Sequence, residues 1–107
     1  MFKADKLNTS AVTDMRDMFY KCTNLNDITA LANWNVSNVT IMYYMFYDCS
    51  NLTNVTALAN WNVSNVTDMY GMFANCPNLT VLDISGWDTS QVSNVIYFLD
   101  SCSKLIS

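Results

Sequence analysis

The most reactive side chains in this sequence are four cysteines, Cys22, Cys49, Cys76 and Cys102, spaced at near-constant intervals. An even count in a secreted chain would ordinarily suggest disulfides. Zinc needs ligand pairs a few residues apart, and there is no such pair and no histidine here. Thiol catalysis needs an activating neighbour, whereas each cysteine falls at the end of an apolar stretch that reads as buried. The expectation is a column of free, buried thiols acting as small hydrophobes. Carboxylates at Asp14, Asp17, Asp68, Asp83 and Asp88 are scattered and read as solvated. Without histidine or a glycine-rich phosphate loop, no catalytic constellation assembles. The chain reads as a non-enzyme with no metal and no other cofactor.

What spaces the cysteines is a repeat. The phrase TALANWNVSNVT occurs at Thr29–Thr40 and again, letter for letter, at Thr56–Thr67. Cutting at tryptophan divides the chain into repeats 7–33, 34–60, 61–86 and 87–107, the last one partial. Each repeat begins with apolar residues as V-x-x-M-x-x-M-F, for example Val66, Met69, Met72 and Phe73. Spacings of three, six and seven predict one face of a short helix, with Ser10, Ser37, Ser64 and Ser90, or Thr13, Thr40, Thr67 and Ser93 three places on, as N-caps. The second part, Leu79, Leu82 and Ile84 in the third repeat, predicts a short strand. Asn33, Asn60 and Gly86 precede each tryptophan and are expected to turn the corner with positive φ. Trp34, Trp61 and Trp87 should anchor those corners with their indole N–H bonded to backbone. The methionines Met15, Met42, Met69, Met18, Met45 and Met72 read as core.

One such unit cannot bury both its faces alone, but stacked units can. The predicted fold is therefore α/β: a solenoid of about four coils. Short parallel strands would line one side and short helices the other. Residues 1–107 are read as a single domain, a segment cut from a longer protein.

The phrase W-x-x-S-x-V-T-x-M-x-x-M-F-x-x-C-x-x-L, seen whole in Trp61–Leu79, resembles the BspA-like leucine-rich repeats, and more closely the DUF285 repeat of bacterial surface proteins. The resemblance runs from Leu7 to Leu105. Leu7 stands where later repeats have tryptophan, and Val95, Phe98 and Leu99 replace Met, Met and Phe in the last. It implies that the solenoid is right-handed and leucine-rich-repeat-like, and that the parent is a surface protein with an extracellular location on a bacterial cell surface. It also implies a role in adhesion or host interaction, and no catalytic residues.

Composition narrows the partners. Half of the 107 residues are apolar (51%) and the formal charge is −4, with five Lys and Arg in all. That excludes nucleic acid, which needs clustered cations, and no apolar run reaches the roughly 20 residues of a membrane span. Eight Asn-x-Ser/Thr sequons, at Asn8, Asn35, Asn38, Asn51, Asn54, Asn62, Asn65 and Asn78, recur with the repeat and read as turn-forming residues. Two faces could bind a host or matrix protein or a glycan. The first carries all six tyrosines, Tyr20, Tyr43, Tyr44, Tyr47, Tyr70 and Tyr97, on positions that vary between repeats. The second is the outward side of the strands, with Asn26, Thr53 and Thr80 in one column and Thr29, Thr56 and Asp83 in the next. Two other roles stand beside binding: a structural spacer, or end-to-end self-association through exposed terminal coils.

Overall fold

In a computed structural model, residues 8–105 are described, so the start of the first repeat at Leu7 and the lysines Lys3 and Lys6 lie outside them. The solenoid of strands and helices is overturned. Among the described residues, regular structure is confined to two 3₁₀ helices, Thr29–Asn33 and Thr56–Leu58. Strand pairing is reduced to four isolated parallel bridges, with no sheet. The 3₁₀ helices fall in the segments expected as strands, and the bridges Asp14–Ile41, Ile41–Asp68 and Asp68–Asn94 fall in those expected as helices, while the fourth, Asn54–Val81, falls where strands were expected.

The backbone explains the reversal. Asp17, Tyr44, Gly71 and Tyr97 have φ between 54° and 59°, and their followers four residues on are left-handed too, Lys21, Asp48 and Asn75 at 56–57° and Ser101 at 62°. A left-handed residue every fourth position cannot continue a right-handed helix. Each apolar stretch is instead a run of turns. Met45 N–H reaches Met42 O at 3.3 Å and Tyr47 N–H reaches Tyr44 O at 3.1 Å. Runs of turns three residues apart repeat the same apolar spacing as a helix, so spacing alone could not separate them. The corner expectation also fails: Asn33, Asn60 and Gly86 are absent from the positive-φ residues.

Alternate amides leave the local turns and bond to the next repeat. Met15 N–H donates to Ile41 O, Met42 to Asp68 O and Met69 to Asn94 O, each at 2.9 Å. The series continues at every second residue, as in Tyr44 to Tyr70 O and Phe46 to Met72 O. Thus half the peptide groups close turns and half tie one repeat to its neighbour, which leaves few groups unpaired.

Side chains of the repeat phrase add to both sets. Asn35, Asn62 and Asp88 accept from the N–H of Ser37, Ser64 and Ser90 at 2.9–3.1 Å. The serines expected as N-caps are therefore recipients of Asx turns. Asn38, Asn65 and Asn78 donate to the carbonyls of Ser10, Ser37 and Ser50, one repeat back, at 2.7–2.8 Å.

The core lies between the repeats. Val39 and Val66, Met42 and Met69, Phe46 and Phe73, and Leu52 and Leu79 are at most 1% exposed. Their counterparts in the outer repeats, such as Val12, Phe19, Val92 and Leu99, are partly buried against them. Each fully covered ring or branched chain contributes about 1.5–3 kcal/mol. The radius of gyration of 12.7 Å is close to the roughly 13 Å of a compact chain of this length.

A candidate binding face on the tyrosine columns

Along the run of turns, side chains go in pairs, two outward and then two into the core, as Tyr43 and Tyr44 followed by Met45 and Phe46 show. The outward columns are Arg16/Tyr43/Tyr70/Ile96, Asp17/Tyr44/Gly71/Tyr97 and Tyr20/Tyr47/Ala74/Asp100. Stacking the repeats brings all six tyrosines into one connected group. Tyr20 stacks on Tyr47 and Tyr43 on Tyr70, each pair with ring centres 5.1 Å apart and planes within 16°. Tyr44 sits in the middle, with ring centres 4.5 Å from Tyr43, 4.7 Å from Tyr47, 5.4 Å from Tyr70 and 5.9 Å from Tyr20. Tyr97 meets Tyr70 edge-on at 5.6 Å. Loss of water among these rings, and then the neighbouring Tyr70, pushes the Tyr44 phenol up to about 12.

The third repeat is where this face opens. Its two small residues, Gly71 and Ala74, interrupt columns that are otherwise aromatic or polar. The Tyr44 ring lies across Gly71, where an added β-carbon would collide with it. Beside them a hollow of about 200 Å³ is lined by Tyr44, Tyr47, Ala74, Tyr97 and Asp100. Aromatic walls and one carboxylate can hold an amphipathic ligand, with rings against its apolar side and the carboxylate accepting its hydrogen bonds. The hollow itself went unread in the sequence, although both small residues stood in columns already aligned there.

The second candidate face is exposed at all six of its residues but carries a smaller hollow. Asn26, Thr29 and Thr56 border a shallow recess of about 170 Å³, together with Asp27 and Asn54. Thr53, Thr80 and Asp83 are not part of it. The Thr80 hydroxyl donates to Thr53 O at 3.1 Å, and Asp83 accepts from both the N–H and the hydroxyl of Ser85. The Thr80 and Asp83 side chains are occupied in holding the chain. The hydroxyl of Ser85, and then its backbone N–H, hold the Asp83 carboxyl below the usual range.

The cysteines are free, but the expected burial holds only for the inner two, Cys22 and Cys102 being half-buried. Cys49 and Cys76 are buried and donate to the carbonyls of Phe19 and Phe46 at 3.2 Å, while Cys102 reaches Phe73 O at 3.0 Å. Burial pushes the thiols of Cys49 and Cys76 up to about 12. At neutral pH they are protonated and weakly nucleophilic. No group of side chains able to hold a metal ion occurs among the described residues. Nor is any helix among them long and apolar enough to cross a membrane.

The family described as "Mycoplasma protein of unknown function, DUF285" matches residues 2–107. The chain belongs to the DUF285 family. No curated protein and no solved structure matches this DUF285 chain. Family membership covers every repeat, the tyrosine columns included.

Proposed function

We propose that this DUF285 chain is a non-catalytic binding module. On this reading its tyrosine face engages a protein or glycan on the exterior of a bacterial cell, in adhesion or host interaction. The observation that supports it most is the hollow between Tyr44, Tyr47, Tyr97 and Asp100, set within a continuous group of six rings. Tyrosine offers a large, stiff contact area at low entropic cost, which is why binding surfaces favour it. Architecture has no evident need for it here, because the repeats are already closed by the valine, methionine and phenylalanine columns. The exterior placement draws on the resemblance to BspA-like surface repeats.

The test is binding of the full chain to arrays of glycans and matrix proteins, compared with a Tyr97→Ser/Asp100→Asn variant. Both residues are exposed, so the melting temperature should move by less than about 2 °C. Binding to any partner found should fall at least about tenfold, as befits loss of an aromatic anchor. Undiminished binding by this variant would remove the hollow as the site.

A further inference from the structure

The columns that are closed in the middle of the molecule are open at its ends. Met15, Met42 and Met69 are at most 1% exposed, but Val95, which completes their column, is 56% exposed. Met45 and Met72 are fully buried, yet Met18, their counterpart in the first repeat, is 41% exposed.

The backbone is open beside them. Among the described residues, the N–H groups of Val95, Tyr97, Leu99 and Ser101 find no partner, and neither do the carbonyls of Asp14, Arg16, Met18 and Tyr20. These two sets are complementary by position. Their internal equivalents are already bonded: Met69, Gly71, Phe73 and Asn75 donate to the carbonyls of Asn94, Ile96, Phe98 and Asp100. Val95, Tyr97, Leu99 and Ser101 are those four donors moved on by one repeat. Asp14, Arg16, Met18 and Tyr20 are those four acceptors in the first repeat.

We propose that copies of this chain join head to tail, the last repeat of one continuing onto the first repeat of the next through these four amides and four carbonyls. A second copy fits because it brings the same spacing and the same direction of peptide groups. It also covers Val95 with the Met15 column and returns Met18 to an interior. In that register Asp100 comes beside Tyr20 and Lys21, whose ammonium sits 5.4 Å from the Tyr20 ring centre, so opposite charges meet. Such a contact is heterologous and does not close, so it extends into linear assemblies. An exposed edge with free donors and apolar side chains is a template for it.

Sedimentation of the full chain over a range of concentrations tests this. The unaltered chain should rise in average mass past two chains. Val95→Lys places a charge at the donor end and Met18→Lys at the acceptor end. Each variant alone should stay monomeric, and an equimolar mixture should recover a species of two chains and no larger. Ile96→Lys and Tyr20→Lys, at exposed positions, form a second pair if the first lowers the melting temperature. A strictly monomeric unaltered chain overturns the proposal. So does an end variant that still associates by itself, or a mixture of folded variants that recovers nothing.

Discussion

Trp61 and Cys76 illustrate how single side chains hold this structure together. Each buries an apolar body and sends one weak or moderate donor to a carbonyl a repeat earlier. The indole N–H of Trp61 bonds Leu31 O and that of Trp87 bonds Leu58 O, both at 2.8 Å. Trp34 and Trp61 lie parallel with ring centres 6.5 Å apart. The sequence predicted buried tryptophans with backbone-bonded N–H groups, but not which carbonyls receive them. Trp61→Phe removes the donor and part of the ring volume, and should cost about 1–3 kcal/mol. A urea titration of the variant measures this, and an unchanged midpoint would show that the bond contributes nothing.

At the scale of elements, the apolar stretch is a series of turns whose left-handed residues are mostly not glycine. Lys21 at φ 56° carries steric strain that a helix would not impose. Glycine at that position relieves the strain while adding freedom to the unfolded chain, for a net gain of about 0.5–1 kcal/mol. In a helix the same change would cost about 1 kcal/mol, so the sign decides between them. Lys21→Gly should therefore raise the urea midpoint, and a lowered one would contradict the turn geometry. The sequence could not separate these cases, because apolar residues three and four apart occur in both. What decides is whether amides bond four residues back or one repeat on, and that depends on the neighbour being present.

For the molecule as a whole, the thiols form a column through successive repeats and give stability a pH dependence. Cys49 and Cys76 are held up to about 12 by burial, against about 8.5 in an unfolded chain. Above that lower value the unfolded chain loses protons that the folded one keeps, so stability falls as pH rises. The contribution is complete below about pH 8.5 and disappears toward pH 12. Tyr44, also raised to about 12, acts in the same direction from about pH 10. The melting temperature should drop between pH 7 and pH 10, and drop less in a Cys49→Ala/Cys76→Ala variant. An equal drop in both would assign the alkaline loss elsewhere.

The duplicated phrase determined, by itself, that equivalent residues form columns. Identical segments in identical surroundings adopt identical conformations, and stacking is how short units bury apolar faces. The valines, the inner methionines, the phenylalanines, the tryptophans and the thiol column were legible on that basis. The same alignment placed the six tyrosines on variable positions. Tertiary structure alone decided what the units are made of. Bonding between repeats takes half of the amides that a helix would need, and it confines the remainder to turns. It also decided that Gly71 and Ala74 leave a hollow among the rings, because that space exists only between one repeat and its neighbours.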